Sequence, residues 1–373
     1  MHRLMLPPAL TINTTRSYPV FLLQNEWLTH LRNIYSKNCA LIVDTKILQH
    51  YPIIQQNFEA IFAIPGSEIS KSRHCKAYLE DQLFRAGFNR DAHLIALGGG
   101  TILDLVGYVA ATFCRGVPVT YIPTSLLAMV DACIGGKTGI NTEFGKNTLG
   151  TFTSPTQVII DPTFLTTLPQ HELQSGLVES LKHALIADAN FFHWQAQSQA
   201  SIHALDPQAL HYLLLKNLQI KANIVQQDEF EHHGIRSILN FGHTIGHALE
   251  MSSNYQLTHG AAVACGIVTE NFIAERLGIL MPEISYKIGQ TLLQLASLIP
   301  VSATYLKPDA ILQAIMFDKK QRDQSCYSVL LQTIGQVYID PDHHYTVHLA
   351  RDLLQEAIMW LQHQNNHGFQ QFQ

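Results

Sequence analysis

Apolar runs rich in β-branched residues alternate with helical patterns over the first 160 residues. The runs that predict strands are 18–23, 40–44, 60–65, 93–97 and 117–122. Apolar residues at 3.6-residue spacing predict helices between them, notably at 71–86 and 102–113. Alternation of strand and helix predicts a parallel sheet with helices on both faces.

The pattern becomes helical in the second half of the chain. The predicted helices are 171–197, 207–230, 236–252, 261–277, 283–296 and 309–317, and one hairpin (327–332 and 336–339) turns at Gly335. We therefore expect an α/β, Rossmann-like N-terminal domain over residues 1–163 and a mostly α-helical C-terminal domain over residues 164–373. Because ligands often bind between domains, we expect the active site in the interdomain cleft. The polar tail 363–373 is expected to fray.

Composition excludes several classes of protein. The chain has 373 residues, of which 47% are hydrophobic, and this rules out intrinsic disorder. A net charge of -5 argues against a nucleic-acid partner. The apolar window 94–113 has the length of a membrane span, but Asp104 and three glycines interrupt it, so we expect a strand, a turn and a helix and no membrane partner. Six cysteines without a C-x-x-C pair favour a reduced, cytoplasmic setting.

A glycine-rich turn joins the strand 93–97 to the helix that follows it. Gly98-Gly99-Gly100 would let the backbone approach a phosphate at the helix N-terminus, although the pattern is not G-x-G-x-x-G. A tight structural turn is the alternative. Asp44 ends another strand, where it could bind a ribose hydroxyl or cap the next helix.

Histidines at helical spacing indicate a metal site. His243 and His247 are four residues apart and would share a helix face, but Thr244 stands where a zinc peptidase has Glu. His259 follows, and Glu179 lies on a predicted helix upstream. One carboxylate and two or three imidazoles would suit an open catalytic zinc site. A set of surface histidines is the alternative.

Several charged and amide side chains lie among glycines or apolar residues. Lys137 follows Gly135-Gly136, and Lys146 and Asn147 follow Gly145, so these side chains could approach a phosphorylated ligand. The P-loop pattern fails because position 131 is Asp. Three further residues could bind a carboxylate or be solvated surface groups: Lys221, Arg236 and Asn240. For Arg236, a surface ion pair with Glu231 or Asp228 is a further alternative.

Together these segments resemble the 3-dehydroquinate synthases, a group of sugar-phosphate cyclases, over roughly residues 40–335. The motifs that carry the resemblance are 98–100 with Asp104, 115–117, 122–141, 145–150, 161–168 and 239–250. The resemblance implies a homodimer that uses NAD and Zn²⁺, with Co²⁺ as an alternative metal. Its substrate would be 3-deoxy-D-arabino-heptulosonate 7-phosphate, and its products 3-dehydroquinate and phosphate. In that family C5 is oxidised with hydride passing to NAD, phosphate is eliminated, the hydride returns, and an aldol step closes the ring.

The resemblance also implies a role for individual residues. The metal ligands would be Glu179, His243 and His259. Four residues would be catalytic: His247, which would transfer protons, and Lys182, Asn240 and Asp131. The other substrate contacts would be Lys221, Arg236, Lys137, Asn147, one of Lys319 or Lys320, and Arg115 reaching into the partner's site. The cofactor contacts would be Asp44, Glu68, Lys71, Gly99, Gly100, Asp104, Thr124, Ser125, Lys137, Lys146, Phe164, Leu165, Thr166 and Thr167.

The chain departs from the family pattern at His171, His183-Ala184 and Ala261, and one extra residue falls within 231–234. These departures affect local packing more than the reaction. Three other functions are considered: a cyclase for a sugar phosphate without a carboxylate, a metal-dependent polyol dehydrogenase, and a non-catalytic nucleotide-binding protein. The carboxylate-binding candidates argue against the first of these functions, and the phosphate-binding residues argue against the second. The intact metal-site residues argue against the third.

Overall fold

The computed structural model describes residues 7–296, 301–302, 304–318 and 326–372. The implied phosphate contacts Lys319 and Lys320 lie outside the described residues. The fold has two compact units. The first runs to Pro169 and includes Leu205–Gln226, and the second comprises Gln170–Ala204 and the chain from Gln227 onward.

The first unit is an α/β layer structure. Its strands are β1 (Leu10–Ile12), β2 (Tyr18–Leu22), β3 (Cys39–Asp44), β4 (Ile61–Ile64), β5 (His93–Gly98), β6 (Val119–Pro123), β7 (Lys137–Thr142), β8 (Gly145–Phe152) and β9 (Gln157–Ile160). Its helices are α1 (Trp27–Ile34), α2 (Thr45–His50), α3 (Ile53–Asn57), α4 (Arg73–Arg85) and α5 (Gly100–Thr112). The strands and helices predicted in this region are confirmed to within two residues at each end.

Seven strands form one sheet in the order β1-β2-β9-β6-β5-β3-β4, and only β1 pairs antiparallel. The side chains of β5 from Leu94 to Leu97 are all inaccessible to solvent, as expected for a parallel strand covered on both faces. Strands β7 and β8 form a separate antiparallel hairpin. The apolar window 94–113 is thus a strand, a turn and a helix, and none of the described helices meets the length and hydropathy needed to cross a bilayer.

The second unit is mostly helical. Its helices are α6 (Gln170–Ala187), α7 (Ala189–Gln197), α8 (Gln199–His203), α10 (His243–Ser252), α11 (His259–Arg276), α12 (Pro282–Leu295), α13 (Pro308–Asp318) and α14 (Arg351–Asn366), while α9 (Pro207–Gln227) lies almost wholly in the first unit. Two short antiparallel pairs join β10 (Cys326–Ser328) to β13 (Val347–Leu349) and β11 (Leu331–Thr333) to β12 (Gln336–Val337).

Two helices that were predicted as continuous are interrupted in the structure. The helix predicted over 171–197 is two helices, because the Asp188 side chain accepts a hydrogen bond from Phe191 N (2.9 Å) and begins α7. The helix predicted over 236–252 is a 3₁₀ helix, Ile235–Asn240, followed by α10. Gly242 separates them with a φ of +80°, a conformation that glycine adopts without strain.

Two further predictions at the C-terminal end need correction. The strand predicted over 327–332 is split between two separate pairs, although the turn at Gly335 (φ +84°) is confirmed. Over its described residues, 363–372, the tail packs against the fold, since Phe369 and Phe372 are buried, so the expected fraying is wrong there. A Cβ on Gly289 would lie 2.3 Å from the Phe372 ring, so α12 holds that ring at close range.

Candidate metal and cofactor centres

Small residues let three helices of the second unit approach one another closely. A Cβ on Gly260 of α11 would lie 2.4 Å from the Cα of Ser175 on α6, and a Cβ on Gly266 would lie 1.9 Å from the carbonyl oxygen of Gly242. Glu179 lies one turn beyond Ser175 on α6. The three elements that carry the predicted metal ligands are therefore held together by backbone contact.

Glu179, His243 and His259 form the predicted cluster, with ligand atoms all within 4.8 Å of one another. Glu179 Oε1 lies 3.5 Å from His243 Nε2 and 3.4 Å from His259 Nε2. The other ring nitrogens also face acceptors, since His243 Nδ1 lies 3.0 Å from Phe241 O and His259 Nδ1 lies 3.6 Å from Glu250 Oε2. These outer contacts aim both Nε2 atoms at the carboxylate.

The two histidines of this cluster have pKa values shifted in opposite directions. Burial lowers the pKa of His243 to about 3, with help from the nearby Lys182 ammonium, so its ring is neutral, as a metal ligand must be. Burial would also lower the pKa of His259, but Glu179 and Glu250 outweigh it and raise that pKa to about 10. One carboxylate and two imidazoles fit zinc at an open three-ligand site.

Two catalytic candidates lie beside this cluster. Lys182 Nζ is 2.5 Å from Glu179 Oε2, and its side chain is almost completely buried. His247 is exposed on α10, one turn beyond His243, with the two ring centroids 5.2 Å apart. It is not part of the three-residue cluster. Asn240 is exposed at the end of the 3₁₀ helix.

Arg236 is not a solvated surface charge. It is 3% exposed, its Nη1 donates to Glu229 O (2.7 Å), and its Nε lies 3.7 Å from Glu231 Oε1. Its own N–H donates to Asp228 (3.1 Å). Burial would raise the pKa of Asp228, but backbone N–H groups, including that of Arg236, outweigh it and lower that pKa. The loop 228–236 is therefore a tightly bonded turn.

In the first unit, Asp131 and Lys221 meet although 90 residues separate them. Lys221 Nζ lies 2.6 Å from Asp131 Oδ1 and also donates to the Asp131 carbonyl oxygen. Both side chains were implied to contact substrate, and the structure places them in one ion pair.

A second polar network joins five residues of the first unit. Lys71 Nζ is 2.7 Å from Asp104 Oδ2 and 2.5 Å from Asn147 Oδ1. Asn141 Nδ2 donates to Glu68 Oε1 (2.7 Å), and Asn141 Oδ1 accepts from Asn147 N (2.9 Å). Burial raises the pKa of Asp104, and the Lys71 ammonium opposes that rise. The resemblance assigns Glu68, Lys71 and Asp104 to the cofactor and Asn147 to the phosphate, and the structure brings these four together with Asn141, which had no assigned role.

The glycine-rich turn caps α5, which begins at Gly100. A Cβ on Gly99 would lie 3.4 Å from Ser125 Oγ, and Thr124 N donates to Gly98 O (3.0 Å), so the turn packs against the end of β6. Asp44 caps α2 through Lys46 N (3.0 Å), as one of its two alternatives predicted.

The remaining predicted contacts differ in exposure. Phe164 and Leu165 belong to the core, where the Phe164 ring lies 5.0 Å from that of Trp27, whereas Thr166 is exposed. Arg115, Lys137 and Lys146 keep at least part of their surface accessible, and Arg115 has a φ of +71°.

Three residues that support these centres have no role predicted from the sequence: Asn141, Glu250 and Glu270. Glu270 on α11 is buried and accepts hydrogen bonds from Gly242 N (2.6 Å), Thr244 N (3.1 Å) and Ile245 N (3.4 Å). The signal that could have found Glu270 is its charge within 261–274, a largely apolar part of α11.

Comparisons with known proteins agree with this architecture. Residues 61–175 match the family described as 3-dehydroquinate synthase N-terminal, and residues 176–321 match 3-dehydroquinate synthase C-terminal. A 3-dehydroquinate synthase of Nitrosomonas europaea is 38% identical over 87% of this chain and 90% of the relative.

Two solved structures share the fold. A 2-epi-5-epi-valiolone synthase from Streptomyces hygroscopicus subsp. jinggangensis, with NAD+ and Zn²⁺ bound, is 26% identical, with a TM-score of 0.81 over 94% of this chain and 98% of that one. A 2-deoxy-scyllo-inosose synthase complexed with carbaglucose-6-phosphate, NAD+ and Co²⁺ is 23% identical, with a TM-score of 0.84 over 93% and 98% of the two chains.

Proposed function

The chain belongs to the 3-dehydroquinate synthase family, and we propose on that premise that it converts 3-deoxy-D-arabino-heptulosonate 7-phosphate into 3-dehydroquinate and phosphate in the shikimate pathway. It is a phosphate-eliminating cyclase that depends on NAD and a divalent metal ion. The observation that carries this function is the Glu179–His243–His259 cluster, in a chain whose two halves both match the family.

The metal centre defines what the surrounding residues do. Glu179, His243 and His259 would hold Zn²⁺ or Co²⁺, and the bound ion would supply Lewis-acid chemistry to the substrate hydroxyls. Lys182 holds a positive charge against Glu179 Oε2 and fixes that carboxylate in place. His247 would move a proton between the substrate and solvent, and its exposed ring beside His243, outside the three-residue cluster, supports that role.

The first unit would hold NAD at the glycine-rich turn and along the Lys71–Asp104–Asn147 network. The chemistry supplied by bound NAD would be a transient oxidation of the substrate that is reversed within the same turnover. The remaining implied cofactor contacts are Asp44, Glu68, Gly99, Gly100, Thr124, Ser125, Lys137, Lys146 and the segment Phe164–Thr167. Because Phe164 and Leu165 are core side chains, that segment would contact the cofactor through its backbone and threonines.

Substrate recognition divides between the phosphate and the carboxylate. Lys137 and Asn147 would bind the phosphate, with Arg115 reaching in from a second copy of the chain in a homodimer. The exposure of Arg115 on a left-handed turn supports that role. Lys221, Arg236 and Asn240 would recognise the carboxylate, and Asp131 orients Lys221. A cytoplasmic location is supported by six free cysteines.

The experiment that tests this function incubates purified protein with the heptulosonate phosphate, Zn²⁺ and a catalytic amount of NAD. Phosphate release without net NADH is expected. NADH accumulation would instead favour a polyol dehydrogenase, and faster turnover of a sugar phosphate that lacks the carboxylate would favour another cyclase. The carboxylate-binding candidates support phosphate release from the heptulosonate phosphate as the expected outcome.

A further inference from the structure

The helix that carries His243 and His247 has no capping side chain of its own. Its N-cap is Gly242, which has a φ of +80° and offers no side-chain acceptor. The first backbone N–H groups of any α-helix need acceptors from outside the helix. Here the turn is buried against α11, where a Cβ on Gly242 would lie 2.6 Å from the Ile267 side chain, so solvent is poorly placed to supply them.

Glu270 supplies those acceptors from the neighbouring helix. Its Oε2 accepts from Gly242 N (2.6 Å), and its Oε1 accepts from Thr244 N (3.1 Å) and Ile245 N (3.4 Å). The placement follows from helical spacing, because Gly266 allows α11 to touch the Gly242 backbone and Glu270 lies one turn further on. Burial raises the pKa of Glu270 to about 8, although the backbone N–H groups oppose that rise, so Glu270 acts on this turn through its hydrogen bonds rather than through a fixed charge.

We propose that Glu270 is a positioning residue that fixes the first turn of α10 and thereby places the metal ligand His243. His243 is the first residue of α10, and its Nδ1 faces the carbonyl oxygen of Phe241, which is part of the same turn. If that turn loosened, the direction of His243 Nε2 toward Glu179 would no longer be fixed. The inference rests on the proposed metal-dependent function.

The test measures the Zn²⁺ affinity of metal-stripped protein by competition with a chromophoric chelator. Glu270→Ala is expected to weaken Zn²⁺ binding by about 10- to 100-fold, the range for residues that orient metal ligands. Glu270→Gln retains one acceptor oxygen and should lose less. Asn271→Ala is the matched control, because Asn271 is the next residue of α11, is equally buried, and has no side-chain hydrogen-bond partner among the described residues.

The control separates positioning from general loss of packing. Asn271→Ala should bind Zn²⁺ within about twofold of wild type even if its melting temperature falls. If Glu270→Ala binds Zn²⁺ with wild-type affinity, the inference is overturned but the proposed function is not. Wild-type protein that neither binds Zn²⁺ nor releases phosphate would overturn the proposed function as well.

Hydrogen exchange on the wild-type protein keeps the inference testable if the Glu270 variants do not fold. The amides of Gly242, Thr244 and Ile245 should exchange slowly in metal-free protein, because Glu270 accepts from them without the ion. Rapid exchange at all three amides would overturn the inference.

Discussion

Asp161 should be among the most sensitive positions of the first unit. Its side chain is inaccessible to solvent and accepts four hydrogen bonds. Oδ2 accepts from Glu26 N (2.8 Å) and Trp27 N (3.1 Å), which begin α1, and Oδ1 accepts from Thr163 N (3.1 Å) and Thr163 Oγ1 (2.6 Å). One carboxylate thus joins α1 to the 3₁₀ segment that we propose contacts NAD.

The expected magnitude follows from that count. A hydrogen bond to a charged group contributes about 1.5–3 kcal/mol, and the contributions of neighbouring bonds are less than additive. Asp161→Ala leaves buried donors without acceptors and should lower the free energy of unfolding by about 4–5 kcal/mol. Asp161→Asn keeps one side-chain oxygen, which can accept from either the α1 donors or the Thr163 donors but not from both. Its free energy of unfolding should fall by about 2–3 kcal/mol. Thr163→Val removes only the hydroxyl bond and should lose about 1 kcal/mol.

Urea unfolding followed by circular dichroism would measure these differences by linear extrapolation. Calorimetric titration with NAD, done below the unfolding transition, would show whether Asp161→Asn weakens cofactor binding while Thr163→Val does not. An Asp161→Ala protein within about 1 kcal/mol of wild type would show that the four bonds do not hold this junction.

Removal of the metal with a chelator should abolish phosphate release, and Zn²⁺ or Co²⁺ should restore it; full activity in a metal-free preparation would contradict the site built on Glu179. His247→Ala should lower kcat by about 10²- to 10⁴-fold while metal content stays near wild type, and loss of the metal would mark His247 as a ligand instead. Arg236→Ala should lower kcat/KM by about 10- to 150-fold, and a substrate analogue without the carboxylate should reduce the activity of wild type far more than that of the variant. Burial lowers the pKa of His93 below 6.5, so the unfolded chain takes up a proton before the folded chain does and stability should fall as the pH drops below 6.5. Because His30 and His243 have lowered pKa values as well, the difference between the urea midpoints at pH 7.5 and 5.5 should become smaller in His93→Gln without vanishing, and an unchanged difference would refute the assignment.

The metal centre shows how far the sequence could be taken. Helical spacing placed His243 and His247 on one face, and family motifs selected Glu179 and His259 as partners. The sequence offered Glu231 or Asp228 as a surface partner of Arg236, and the structure does place Arg236 against both. It could not reveal that the Arg236 side chain is buried, because burial within a loop leaves no periodic signal. It also missed the break at Gly242, because apolar residues keep their 3.6-residue spacing on both sides of it.

Sequence by itself determined the strands and helices of the first unit and the residues of the candidate metal cluster. Local hydrophobic period fixes a strand or a helix, so β5, the turn at Gly98–Gly100 and α5 could be predicted from the chain alone. Tertiary structure decided which distant groups meet, such as Lys221 with Asp131 and Glu270 with the first turn of α10. Those contacts depend on how closely backbones approach at residues such as Gly260 and Gly266, and close approach is a property of the packed helices that no local pattern encodes.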